Sequence, residues 1–326
     1  MKYLQLLVTI TLFTSLSCKE EPVNTKVAGQ VFGTTYAVIY EGDTNYEIQF
    51  DSLFYVINAS LSTYQSNSIV SKINRGETTP LDDHFITVFN ASKAIYESTN
   101  GVFDPTIGAV VNAWDFGPEG KIVALDSMMI DSLMQGVGFS KLIMNKKAFK
   151  LPENTFLDFN AIAKGYGVDV IADFLESENV QNYLVEIGGE IRIKGINIEK
   201  QLPWTVGIDK PNFDGSQSVM KAISLNDVGM ATSGTYRKFK LDENGNRYAH
   251  IINTKTGYPT TTNILSVSVL ANDCMTADAY ATAFQAMGIE AVTTFLISHP
   301  ELKLFIIYEN DANQLETLAL NGFPVN

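Results

Sequence analysis

The sequence predicts an α+β protein in which a largely antiparallel sheet packs against helices. Three observations lead there. Strand-like segments come in runs instead of alternating one by one with helices, which disfavours a doubly wound parallel sheet. Helical periodicity is confined to separate blocks. The 326 residues are 45% hydrophobic and 18% charged, enough apolar material for a large buried core. No Pro/Ser-rich linker or charge block cuts the interior, so residues 28–326 read as one unit.

Taken in order, Lys2 precedes an apolar run from about Leu4 to Leu16, then small residues and Cys18. The run is short for a membrane-spanning helix and has the layout of a cleaved secretory signal over residues 1–17. Cys18 directly after Ser15-Leu16-Ser17 resembles a bacterial lipobox, which makes residues 18–27 a lipidated N-terminus and spacer. The alternative is a plain signal peptide with an incidental Cys. Lys19-Glu20-Glu21 also resembles a surface-export signal of bacterial lipoproteins.

Residues Lys26 to Gly42 alternate apolar and polar positions as a strand or hairpin. Helical periodicity follows at Tyr46–Ile57 and Asp82–Tyr96, and Asp126 is placed to cap a short helix reaching Val137. Leu142–Met144 and Ala148–Leu151 suggest a hairpin, and Ile162–Leu175 a helix. Strand signal marks Tyr183–Ile187, Ile191–Ile196, Thr205–Ile208, Ala222–Leu225, His250–Ile252 and Leu265–Leu270. The chain closes with helices over 274–287 and 289–298 and a strand at Lys303–Tyr308.

The formal net charge of -13 repels a nucleic-acid backbone and excludes nucleic acid as a partner class. An anionic ligand would need a local cation, a metal or a helix N-terminus to overcome that charge. There is no P-loop, His-Glu-x-x-His, Cys-x-x-Cys or Gly-x-Ser-x-Gly. Gly165-Tyr166-Gly167 begins like a dinucleotide fingerprint but lacks its third glycine and lies within a helical pattern. With only His84, His250 and His299, a His-rich metal site is ruled out. Cys18 and Cys274 are the only cysteines, and a lipid on Cys18 leaves no disulfide; Cys274 reads as a small buried hydrophobe.

Four stretches can carry chemistry. Asp278 and Thr282, spaced i, i+4, stack a carboxylate and a hydroxyl on one helix face, a pair of hard oxygens that suits Mg²⁺. From spacing alone, the leading reading is that Thr282 bonds back into its own helix while Asp278 is solvated. Asp158, Asn160 and Lys164 stand at the entry to a helix, where Asn160 as N-cap would leave free N–H groups beside one cation, as a phosphate site needs; a capped helix with a surface Lys is the other reading. Gly234 and Gly257 suggest tight turns in the third and fourth stretches, around Thr232–Phe239 and His250–Pro259. His250 fits either a base or a hydrogen-bonding core residue. Asp104 and Pro105 precede a short helix, with Trp114 and Phe116 nearby as core aromatics.

Together these stretches resemble the ApbE family of bacterial flavin transferases. The likeness runs in order through FGTTY from Phe32, LSTYQSNS from Leu61, GVFDPTIG from Gly101, AIAKGYGVD from Ala161, YLVEIGGEI from Tyr183, ATSGTYRKF from Ala231, HIINTKTGYP from His250 and TADAYATA from Thr276. The resemblance implies an ApbE-like (T-fold-like) architecture and an enzyme that takes FAD with Mg²⁺. Such an enzyme transfers FMN to a Thr hydroxyl of an acceptor protein, typically an envelope redox protein, and releases AMP. It implies Asp278, Thr282 and the Ala161 carbonyl as metal ligands, and Lys164 and Asp158 near the phosphates. Phe32, Tyr64, Val102, Phe103, Asp104 and Ile252 would line the FAD pocket, with His250 as base and Asp278 a second candidate for that role. The expected location is the bacterial envelope, anchored through lipid on Cys18 and facing outside the cytoplasm. Phe32 stands where the family commonly has Met. Ala249, Asn253 and Thr235 depart from a frequent His, Asp and acidic or amide residue, which bears on acid–base chemistry and leaves the metal ligands untouched. Two other readings of the scaffold are an FAD pyrophosphatase and a non-catalytic FAD-binding lipoprotein.

Overall fold

The computed structural model describes residues 23–144, 149–236, 239–241 and 247–325, so the signal segment 1–17 and Cys18 lie outside the described residues. The chain opens with the hairpin β1 (Asn24–Val31) and β2 (Thr34–Glu41). Helices α1 (Glu47–Leu61), α2 (Ile69–Asn74), α3 (Asp83–Ser98), α4 (Gly108–Ala113), α5 (Ser127–Met134) and α6 (Ala163–Ser177) follow. Next come strands β3 (Tyr183–Ile187), β4 (Glu190–Lys194), β5 (Ile196–Asn197), β6 (Leu202–Asp209), β7 (Val219–Leu225), β8 (Val228–Gly234), β9 (Phe239–Leu241), β10 (Arg247–Ala249) and β11 (Ile264–Ala271). Helices α7 (Cys274–Met287) and α8 (Ile289–Leu296) precede β12 (Lys303–Glu309) and β13 (Leu315–Leu320).

Eight strands pair in the order β1-β2-β3-β4-β8-β11-β12-β13, antiparallel throughout. Period-two alternation then sorts side chains to two faces. On β12, Leu304 and Ile306 join Val267, Val269, Phe85, Phe89 and Phe284 in a core shared with the helices. Phe305 and Ile307, with Ile191, Ile193 and Leu270, instead meet Trp204, Val206, Ile208 and Ile223 of the small sheet β5-β6-β7. A third cluster joins Val38, Val185 and Ile187 to Phe50 and Phe54 of α1 and Val168, Ile171 and Leu175 of α6. Every residue of β11 is consequently buried, as a strand covered on both faces must be.

Three helix starts are capped by an aspartate standing just before the apolar run. Asp82 accepts from Phe85 N–H, Asp126 from Met129 N–H and Asp273 from Thr276 N–H, fixing the starts of α3, α5 and α7. Cys274 is fully buried, with Sγ 3.5 Å from the Met230 carbonyl, and burial among carboxylates pushes its thiol well up.

Several local expectations change. Residues 250–252 are not a strand: β10 ends at Ala249 and only an isolated bridge joins Ile252 to Pro259, because the turn closed by Gly257 (φ +74°) intervenes. Gly234 is no turn but the last residue of β8, opposite Ser266, and it packs where a Cβ would lie 2.8 Å from the Tyr236 ring. Of the hairpin expected around 142–151, the described residues show one antiparallel bridge between Met144 and Phe149, and residues 145–148, Ala148 among them, lie outside the described residues. The helices expected to reach Val137 and residue 298 stop at Met134 and Leu296. Asn160 does not cap α6; the helix starts at Ala163 with Ile162 in the capping position, while Asn160 N–H donates to Asp158 Oδ1 in a preceding turn.

Candidate active site

That displaced helix start decides the chemistry of the site. In a regular helix the amide of Gly165 would donate to the carbonyl of Ala161. Here it donates to Asp278 Oδ2 at 3.0 Å, and the Ala161 carbonyl accepts no hydrogen bond among the described residues. The exchange is possible because α6 and α7 touch at a glycine. A Cβ at Gly165 would lie 2.4 Å from the Cys274 carbonyl oxygen and 2.8 Å from Asp278 Cβ. Gly167 plays the same part toward Phe32, whose ring would sit 2.6 Å from an added Cβ. The Gly-Tyr-Gly pair is thus a packing device inside a helix, consistent with rejecting it as a dinucleotide fingerprint.

Asp278 is buried, and the Thr282 hydroxyl one turn later makes no hydrogen bond back into its helix or to any other described residue. Both face a cavity of about 1120 Å³. That volume lies above the roughly 300–1,000 Å³ of ordinary small-ligand pockets and suits a dinucleotide. Lys164 sends its ammonium to Glu190 Oε1 at 2.6 Å, so the expected cation is present but already paired. Glu190 is 3% exposed and its Oε2 has no hydrogen-bond partner among the described residues. Burial pushes the Glu190 carboxyl up to about 7 against the pull of Lys164, with Asp278 adding to the rise. Burial also raises Asp278, opposed by Lys164 and the Gly165 amide. Lys164 is driven down by burial but ends raised through the charges of Glu190 and Asp278.

The same cavity is lined by all the residues singled out in the sequence: Phe32, Tyr64, Val102, Phe103, Asp104, Asp158, Ala161, Lys164, His250, Ile252, Asp278 and Thr282. Their settings differ. Tyr64 is 61% exposed, and desolvation together with the Asp158 charge raises its phenol. Asp104 is buried with both oxygens engaged, Oδ1 by the amide and hydroxyl of Thr106 and Oδ2 by the Phe139 amide, so it shapes the wall more than it offers a free ligand. The 250–259 turn is stitched to the 100–114 segment: Thr254 Oγ1 donates to the Gly101 carbonyl, Lys255 Nζ to that of Asn100 and Trp114 Nε1 to that of Gly257. His250 leaves β10 at a bend with its ring 6.2 Å from that of Phe116.

Glu186, Glu190 and Asp209 also line the cavity and were not foreseen as site residues. The signal for the two glutamates was a Gly188-Gly189 turn, both at positive φ, flanked by acidic residues in otherwise apolar strands. With Asp104, Asp158 and Asp278 they make a wall on which, among the described residues, acidic side chains outnumber the one lysine, Lys164. A hard cation can use the unbonded oxygens of Ala161, Asp278 and Thr282; among the described residues no cluster of three or more His, Cys, Asp or Glu forms a metal site by itself.

The family model described as the ApbE family matches residues 32–306. A FAD:protein FMN transferase of Haemophilus influenzae is 36% identical over 346 residues, covering 97% of this chain and 96% of its own. One from Vibrio cholerae is 36% identical over 285 residues, covering 84% of each chain. Among solved structures, flavin transferase ApbE from Vibrio cholerae superposes with a TM-score of 0.82 at 32% identity, covering 91% of this chain and 97% of that one. The apo form of Pseudomonas stutzeri flavinyl transferase ApbE gives 0.82 at 27% identity, covering 92% and 96%. The helix contact at Gly165, the cavity it opens on and these matches together place the chain in the ApbE family.

Proposed function

We propose that this chain is an enzyme that transfers FMN from FAD to a Thr hydroxyl of a protein acceptor, using Mg²⁺ and releasing AMP. The relatives' name, FAD:protein FMN transferase, supports flavin transfer. The observation that carries the metal-dependent form is that, among the described residues, the Ala161 carbonyl, the second Asp278 oxygen and the Thr282 hydroxyl are unbonded where α6 meets α7, on a wall whose described charges are mostly acidic. The donors fit: oxygen-only, with a single carboxylate among them, is what Mg²⁺ takes when it keeps positions for water and phosphate. Ala161, Asp278 and Thr282 would hold the ion, and the buried Glu190 Oε2, without a partner among the described residues, lies on the same wall. When bound, Mg²⁺ supplies charge neutralisation and Lewis acidity at the pyrophosphate.

The chain's own residues then divide the work. Lys164, oriented by Glu190, faces the phosphates from the α6 entry, with Asp158 on the same wall. Phe32, Val102, Phe103 and Ile252 furnish apolar contact for FAD, with Tyr64 lining the same cavity from a more exposed position. His250 takes the proton from the acceptor Thr Oγ as that oxygen bonds to the flavin-side phosphorus and the bond to the AMP oxygen breaks. Asp278 is the weaker base, because a metal-bound carboxylate holds protons poorly.

We place the protein at the bacterial envelope, held by lipid on Cys18 and facing outside the cytoplasm, with an envelope redox protein as acceptor. The leader layout supports this, and Cys18→Ala should move the protein from the membrane fraction to the soluble one; retention in the membrane would sink the anchor. The reaction itself is tested by mixing the mature protein with FAD, Mg²⁺ and a Thr-bearing acceptor, then following AMP and covalently held flavin fluorescence. Both signals support transfer. AMP without labelling would replace it by FAD hydrolysis, and neither signal by passive binding.

A further inference from the structure

The two halves of the site are held together by reciprocal capping between helices. Asp278 of α7 accepts the Gly165 amide of α6. In return Asp169, one turn further along α6, accepts the first amides of α7: Cys274 N–H at 2.9 Å on Oδ1 and Met275 N–H at 2.8 Å on Oδ2. Asp169 is 7% exposed and lies away from the cavity wall. Its Oδ1 is also bonded by the Arg192 guanidinium at 2.9 Å, which in turn lies 3.4 Å from Asp173 and 3.6 Å from Glu176.

An ordinary N-cap comes from the residue before the helix, and α7 already has one in Asp273. Among the described residues Asp273 bonds only the Thr276 amide, so Asp169 takes up the Cys274 and Met275 amides that it leaves, and does so from another helix. What it fixes is translation and rotation of α7 against α6. Asp278 follows Cys274 by one turn and Thr282 by two, while Ala161 precedes Asp169 by about two turns, so slippage at this joint would separate the cation-facing oxygens.

We infer that Asp169 is a positioning residue for the cation site, setting the spacing of Asp278 and Thr282 from the Ala161 carbonyl without touching any ligand. The inference rests on the Mg²⁺-dependent reading above and specifies which residue holds that site in register. An orienting group of this kind acts on metal affinity, typically by 10- to 100-fold, more than on the reacting atoms.

The test is a Mg²⁺ titration of FAD binding, read by flavin fluorescence quenching, on the mature protein, Asp169→Asn and Val168→Ala, with FMN transfer measured in parallel. Val168 is buried on the same helix and reports loss of stability alone. Asp169→Asn should raise the half-saturating Mg²⁺ concentration at least tenfold, with transfer at saturating Mg²⁺ within about threefold of the parent, while Val168→Ala leaves the requirement in place. Asp169→Glu keeps the charge facing Arg192 but reaches one methylene further; it replaces Asp169→Asn where that variant fails to fold and must show the same displacement. A Mg²⁺ requirement shifted no further than in Val168→Ala would overturn the inference and leave the proposed reaction standing. Parent FAD binding indifferent to Mg²⁺ would overturn both.

Discussion

Phe32 occupies a backbone position better suited to asparagine or glycine. Its φ is +52° and that of Gly33 is +76°, between the paired residues Val31 and Thr34, the signature of a two-residue type I′ hairpin. A non-glycine residue there costs on the order of 1 kcal/mol or more. The ring meets Phe54 edge-on at 5.7 Å, rests against Gly167 and lines the cavity. Phe32→Asn should therefore relax the turn and loosen the ligand site together: unchanged or higher thermal stability, with FAD affinity lowered about tenfold or more by loss of apolar contact. Isothermal titration beside a melting curve checks it, and a variant that lost stability while keeping affinity would contradict this account. At this scale the shared helix face of Asp278 and Thr282 was legible from spacing, because helix geometry alone aligns it, whereas a cation between them rested on family likeness. The Ala161 carbonyl rested on family likeness, since no side chain marks it, and Glu190 was passed over because an acidic residue after a turn usually points to water.

Between elements, the α6–α7 joint sets both geometry and charge. Burial pushes the Asp169 carboxyl up to about 6, opposed by its two amide donors and Arg192, with Asp273 adding to the rise. A carboxyl that holds its proton more tightly when folded contributes stability that is complete below its ordinary value of 3.8 and is lost as pH rises through about 6. At about 1.4 kcal/mol per tenfold change in proton affinity, the swing is on the order of 3 kcal/mol. Denaturant unfolding from pH 7 down to 4 should show wild type gaining on Asp169→Asn as pH falls; parallel curves would mean that Asp169 does not titrate in that window. Most elements were legible as alternation or amphipathic blocks, and Tyr183–Ile187 and Cys274–Met287 match their expected bounds. The central strand β8 was not: Val228–Gly234 contains two glycines and small polar residues, and only pairing with β4 and β11 makes it a strand. His250–Ile252 failed the opposite way, since β-branched residues there serve a turn.

Across the whole molecule, the cavity draws on the first hairpin, the 100s loop, the α6 entry, the 250s turn and α7. No local pattern encodes such convergence, which is why ordered motifs spread along the chain carried more than any one of them. It also makes ligand binding a global stabiliser. FAD with Mg²⁺ at a hundredfold excess over Kd should add about 2.7 kcal/mol and raise Tm by several degrees. FAD with a chelator should leave Tm in place, as should FAD with Mg²⁺ on Asp278→Ala. An equal rise in chelator would remove the metal from the site.

Cys274 is buried in the first turn of α7 with its thiol held protonated, out of reach of electrophilic reagents. A recombinant chain started at residue 23 is thus silent to maleimide dyes while native. One cysteine introduced at an exposed position such as Tyr55 or Ile297 would carry a lone fluorophore, turning the molecule into a single-label sensor of acceptor docking.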